Sequence, residues 1–161
     1  MFKGLNKLIR HLYRSVFIAL PILLISMSVT AVAEDADVEF AIFSLNNELP
    51  QLSQNKARML YRGKSKRISG SLKIVLVDLP ETSIHREEFY KMLLGKSVSQ
   101  MNGYWAGLAF SGKGSPPEEL DSDDIKQILN WLNDNPNGIA YAPIESVPEE
   151  VNILITVPQG E

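Results

Sequence analysis

Asp78, Ser83 and His85 are the residue types of a hydrolytic triad, but Ser83 and His85 lie two positions apart at the start of a predicted helix and point to different sides of it. That trio cannot relay a proton. The stretch Gly107-Leu-Ala-Phe-Ser-Gly112-Lys113-Gly114 follows the phosphate-loop pattern until Gly114, which stands where a magnesium-binding hydroxyl is required. Its context fails as well, because the predicted helix precedes the loop. Glu118, Glu119, Asp121, Asp123 and Asp124 crowd carboxylates together but lack the alternating spacing and central glycine of a calcium loop, and they suit the entry to a helix instead. With no cysteine, and only His11 and His85 as imidazoles, the chain has no disulfide framework, thiolate nucleophile or clustered metal site. No motif calls for a cofactor.

The more informative stretch runs from Asp78 to Phe89, Asp-Leu-Pro-Glu-Thr-Ser-Ile-His-Arg-Glu-Glu-Phe, where a strand ends and turns directly into a helix. Such a junction presents unpaired backbone N–H groups and the positive end of the helix dipole. Hydroxyls from Thr82 and Ser83 beside them suit an oxyanion. The same hydroxyls also suit a plain helix cap, so local sequence leaves both uses open.

The elements that must position this junction can be read from hydrophobic period. Val38 to Phe43, Leu72 to Val77, Ile139 to Ala142 and Val151 to Val157 are short apolar runs rich in branched residues, and each predicts a strand. In the last, Val151, Ile153, Ile155 and Val157 occupy every second position, which predicts one wetter face. Ile125, Ile128, Leu129 and Leu132 form one helical stripe, opened by Asp121 to Asp124 and closed by Asn135-Pro136-Asn137-Gly138. Ser97 and Gln100 form a capping-box pattern ahead of Met101, Trp105 and Leu108, with Trp105 assigned to the core. Ser53 caps a helix through Tyr61, and Thr82 or Ser83 opens one that carries Phe89, Met92 and Leu93 inward. Both helices run into Gly-Lys-Ser, at Gly63 and Gly95, where glycine serves as a left-handed cap. The order predicts an α/β domain of three layers, helices covering a mixed sheet, with no linker to divide it.

The first 33 residues are a separate object. Lys3, Lys7, Arg10 and Arg14 precede an apolar stretch from Val16 to Val29 and the small-x-small pattern Ala31-Val32-Ala33, which together predict a cleaved export signal, residues 1–33. An uncleaved anchor is the alternative, although this fourteen-residue stretch falls short of the roughly 20 that span a bilayer. Residues 34–161 then form the exported domain, whose 12 Lys and Arg stand against 19 Asp and Glu, a net charge of −7. That balance opposes nucleic acid as a partner.

At its strand-to-helix junction the chain resembles the phosphate-binding proteins of ABC uptake systems, in particular short PstS-like members of the type II periplasmic binding protein superfamily. Leu60-Tyr61-Arg62-Gly63-Lys64 is similar to that family's helix ending in Gly-Lys. Val77 to Glu81 with Arg86 to Tyr90 resembles its strand-to-helix site, followed by Leu94-Gly95-Lys96-Ser97. Tyr104-Trp105 through Phe110 to Gly114 and Pro116-Pro117 matches its central helix and loop, and Asn135 to Tyr141 its Pro-Gly-x-Ile-Gly-Tyr signature. The resemblance covers nearly all of residues 38–157. It implies one lobe of a periplasmic binding fold, no enzymatic activity, a periplasmic location, and recognition of phosphate or a similar small oxyanion. Asp78 stands where larger phosphate binders carry arginine, so a dianion is tolerated only if Asp78 accepts a proton from it or pairs with Arg86.

The expected ligand-binding residues are Thr82 and Ser83 as donors, Ser44 and Asn46 at the end of the first strand as contributors, and Arg86 as an assisting cation. Two-lobed binders close domains of about 100 to 150 residues around a ligand, and 128 residues supply only one lobe. An anion would then be held weakly or shared with a partner, an inner-membrane transporter or sensor protein. The competing class is an interaction module for such a protein that has lost the ligand. The basic cluster Lys56, Arg58, Arg62, Lys64, Lys66 and Arg67 reads either as a solvated face or as a patch that concentrates anions.

Overall fold

The computed structural model describes residues 39–158. The predicted export signal lies outside them. Strands β1 (Phe40–Ser44), β2 (Val75–Asp78), β3 (Glu118–Glu119), β4 (Gly138–Pro143) and β5 (Asn152–Val157) build one sheet in the order β3-β2-β4-β1-β5. Helices α1 (Gln54–Tyr61), α2 (Ile84–Leu94), α3 (Val98–Phe110) and α4 (Ile125–Asp134) complete the α/β arrangement expected from the sequence. β2 pairs in parallel with β3 and β4, whereas β1 is antiparallel to both β4 and β5. β1 therefore runs against every other strand. β1 and β4 are buried along their whole length, so both faces of the sheet centre are covered, which is why these strands read as continuous apolar runs.

Two strands depart from their expected pattern. β2 begins at Val75 because the chain before it folds back on itself: Arg67 bridges Lys73, and the N–H of Ile74 donates to Lys66 O at 3.0 Å. In β5 the buried residues are Leu154 and Val157 rather than the alternating series from Val151. The register against β1 slips between Ile42 and Phe43, which face Ile155 and Ile153, so Leu154 is the extra residue of a bulge. β3 has no hydrophobic signal, since Glu118 and Glu119 are both exposed.

The caps follow the sequence closely. Ser53 accepts from Lys56 N, Ser97 and Gln100 form a complete capping box, and Asp124 accepts from Lys126 N. Gly63 and Gly95 both have φ of 64°. Trp105 is buried, and its ring comes within 2.5 Å of the place a side chain on Gly63 would occupy, while nothing lies within 4 Å at Gly95. Both glycines supply the left-handed turn that ends a helix, but only Gly63 also makes room for the core.

These two sites give a paired expectation. Gly95→Ala costs about 1–2 kcal/mol from the left-handed backbone alone. Gly63→Ala costs that plus about 1–3 kcal/mol of overpacking against Trp105, measured by chemical denaturation. Equal losses at the two positions would show that Trp105 moves aside freely.

Candidate functional site

β2 ends in Asp78, a carboxylate only 1% exposed. Burial alone would make this unfavourable, so the fold surrounds it with donors. Tyr141 of β4 donates to one carboxylate oxygen at 2.5 Å, as does the N–H of Leu79 at 3.0 Å. Tyr90 of α2 donates to the other, where Arg86 Nη2 also stands at 3.3 Å. Burial pushes the Asp78 carboxyl above its ordinary range, against the opposing pull of Arg86, the two tyrosines and Leu79. Burial likewise raises the Tyr90 and Tyr141 hydroxyls, reinforced by the charge of Asp78.

Arg86 is fixed on three sides. Its Nη1 donates to Leu79 O at 2.8 Å and to Glu119 of β3 at 2.6 Å, and its guanidinium lies 5.7 Å from the Tyr90 ring centre. Its burial would lower its affinity for a proton, but the charge of Asp78 and the bond to Glu119 more than reverse that. Glu119 in turn sits below the ordinary carboxylate range, because the bonds from Arg86 and from the N–H of Glu81 outweigh its partial burial. The expected pairing of Asp78 with Arg86 is present. Its consequence is a correction: Arg86 is occupied by two carboxylates and a carbonyl, and no longer supplies net positive charge to a ligand.

The entry to α2 differs from those of the other helices. Ser83 is its N-cap by backbone geometry, but its hydroxyl makes no cap bond and instead donates to Asp123 at 2.8 Å. The N–H groups of Ile84, His85 and Arg86 meet no acceptor among the described residues. Thr82 and Ile84 are exposed beside them, and a concavity of about 450 Å³ opens there, lined also by Pro80, Asp121 and Asp123. Donors and carboxylates thus share one wall.

Ser44 and Asn46 do not join this site. Ser44 Oγ donates to Gly138 O at 2.7 Å and accepts from the N–H of Asn46 at 3.1 Å, at the end of the sheet where β4 begins. Gly138 is in register with Val75, the first residue of β2, whereas Thr82 and Ser83 follow its last. Three steps of strand separate the two ends by roughly 10 Å, too far for one small anion to touch both. The cause is the antiparallel course of β1, which carries its C-terminal end away from that of β2. Asn46 is occupied locally, its side chain accepting from Glu48 N at 2.8 Å.

The acidic run that the sequence assigned to helix entry has several jobs. Asp124 caps α4, Asp123 holds Ser83, and Glu119 holds Arg86. The basic cluster is divided too: Arg58 and Arg62 donate to Leu93 O and Leu94 O at the end of α2, and Lys56 reaches Ser65. Tyr90, Tyr141, Glu119 and Asp123 were invisible to sequence reading as site residues.

No family model matches the chain, and no curated protein is significantly similar to it. Solved structures are. One is assigned as a phosphate ABC transporter substrate-binding protein from Clostridium perfringens, with bound phosphate, at 15% identity and a TM-score of 0.55, covering 75% of this chain and 54% of that one. Another is an ABC-type phosphate transport receptor from Vibrio cholerae, at 17% identity and a TM-score of 0.53, covering 73% of this chain and 46% of that one. The described residues have the fold of one lobe of a periplasmic binding protein. The lobe spans about half the length of these neighbours.

The buried network makes two expectations. Asp78→Asn leaves Arg86 short of a buried counter-charge and costs about 3–5 kcal/mol in denaturant unfolding; a loss below about 1 kcal/mol would remove the network from its structural role. Glu119→Gln costs about 1 kcal/mol near pH 7, since the Glu119 side chain is 48% exposed and solvent screens the pair. A lowered carboxylate stabilises above its unfolded pKa and loses that contribution as pH falls through its folded one. The Glu119→Gln difference should therefore vanish as pH drops below the ordinary glutamate value of 4.5, measured by melting curves across pH. A difference that persists there would mean packing, not charge, is responsible.

Proposed function

We propose that this chain is an exported, non-enzymatic solute-binding protein of PstS-like type, whose single lobe recognises phosphate or a similar oxyanion at the N-terminus of α2. The observation that carries this reading is the group of free first-turn N–H groups of Ile84, His85 and Arg86 beside the Thr82 hydroxyl, the Ser83 hydroxyl being committed to Asp123. Helix N-termini of this kind hold oxyanions through amides and dipole together. The bound phosphate of one fold neighbour lends support at the level of fold.

Asp121 and Asp123 beside the seat select among anions. A carboxylate repels a fully deprotonated oxyanion but accepts a hydrogen bond from one that keeps a proton, which monohydrogen phosphate does near neutral pH and sulfate does not. A lobe open on one side buries too little of a small anion to bind it tightly, so a membrane transporter or sensor protein would cover the ligand in the periplasm. Placement of the chain in the periplasm rests on the predicted signal at residues 1–33.

A second reading has its own observation. The sequestration of Arg86 by Asp78 and Glu119 leaves the seat without a cation, which favours a periplasmic interaction module that keeps the fold without the ligand.

Isothermal titration separates the two. The solute-binding reading expects phosphate to bind in the millimolar range, sulfate at least tenfold more weakly, and Thr82→Ala to reduce phosphate affinity several-fold, a loss of about 1 kcal/mol for one hydrogen bond. No heat with a folded protein leaves the interaction module. Sulfate bound as well as phosphate would deny Asp121 and Asp123 a selecting role.

A further inference from the structure

Away from the α2 entry, the C-terminal ends of α1 and α2 and the first turns of α3 enclose a concavity of about 530 Å³, lined by Arg62, Lys64, Lys96, Gln100, Met101 and Tyr104. Its position is set by paired helix ends. Gly63 and Gly95 turn left-handed, so the N–H of Lys64 donates back to Met59 O and that of Lys96 to Tyr90 O. Each turn delivers a lysine to the same hollow. Arg62 Nη2 donates to Leu94 O at 3.2 Å, and the Tyr104 hydroxyl donates to Arg62 O at 2.8 Å, which fixes the wall between them.

Charge sets this hollow apart from the rest of the molecule. No Asp or Glu lines it, and none of its three cations forms an ion pair among the described residues, although the chain has more acids than bases. Like charges gathered in one concavity repel one another unless an anion joins them. The carbonyls Leu93 O and Leu94 O, which would repel an anion, are already covered by Arg58 and Arg62. The space lies within the range of small-molecule sites and exceeds what a bare tetrahedral anion fills. The exposed Tyr104 ring offers apolar surface beside the cations, with Met101 buried beneath the hollow.

We propose that this hollow is a second anion site, one that takes the phosphate group of a phosphate monoester, with the organic part of the ligand along the exposed Tyr104 ring. A phosphate monoester carries up to two negative charges, which three cations match better than a single carboxylate would. The ester is either a soluble metabolite or the monoester headgroup of phosphatidic acid, which share this chemistry. The site is independent of the α2 entry, which lacks any free cation.

The test titrates the purified chain with phenyl phosphate and with benzoate by calorimetry, and measures co-sedimentation with vesicles containing phosphatidic acid and with vesicles of phosphatidylcholine alone. Phenyl phosphate should bind more tightly than benzoate and lose affinity several-fold in about 0.5 M salt. The double variant Lys64→Gln/Lys96→Gln should lose at least tenfold, while Lys64→Arg/Lys96→Arg and Thr82→Ala keep the binding, with circular dichroism confirming that each is folded. Binding confined to the vesicles containing phosphatidic acid and lost in the same double glutamine variant assigns the phosphate to a lipid headgroup. Binding to neither ligand, or binding that the glutamine variant retains, overturns the proposal. Loss in Thr82→Ala instead would move the phosphate to the α2 entry and overturn this site alone.

Discussion

The lobe is organised around a buried carboxylate. Asp78 ends β2, and the groups that make its burial tolerable come from elements far apart in sequence: Tyr90 and Arg86 from α2, Tyr141 from β4. Satisfying one charge therefore fixes the mutual placement of a strand end, a helix start and a neighbouring strand. Aromatic packing continues the same tie, since the Phe89 and Tyr141 rings stack at 3.6 Å with Tyr61 of α1 edge-on to Phe89 at 5.0 Å. The network extends through Arg86 to Glu119, which anchors a two-residue strand that has no apolar side chain of its own.

This arrangement decides what the nearby helix entry can do. The cation closest to it is spent on internal carboxylates, and Asp123 takes the hydroxyl that caps helices elsewhere in the chain. What remains outward is a set of backbone amides and the Thr82 hydroxyl, flanked by acidic side chains. An oxyanion proposed to sit there would be told apart by its protonation more than by its charge. Three cations without ion pairs, Arg62, Lys64 and Lys96, meet instead where α1 and α2 end, at turns where left-handed glycines and helix C-termini favour basic residues.

Much of the fold was legible in the sequence. The Ser53, Ser97 and Asp124 caps, the left-handed Gly63 and Gly95, the buried Trp105 and the run of apolar strands all follow from local rules that act within a few residues. The likeness to phosphate-binding proteins drawn from residues 38–157 agrees with the fold of the solved neighbours, while the low identity leaves the ligand to experiment. The candidate site was legible only in half. Thr82 and Ser83 at a strand-to-helix turn could be read directly, but the partners at Asp123, Glu119 and Tyr141 lie 40, 33 and 63 positions from Ser83, Arg86 and Asp78. No periodicity spans such distances.

The sequence by itself determined the four helices and every strand but β3, where helices start and stop, and which junction exposes amides, because these depend on side-chain period and on hydrogen bonds between near neighbours. Tertiary structure alone decided the direction of β1, and with it the removal of Ser44 and Asn46 from the α2 entry, as well as the capture of Arg86 between two carboxylates. Strand direction is set by pairing with β4 and β5, about a hundred residues away or more, and a buried cation goes to whichever charges the folded chain brings to it.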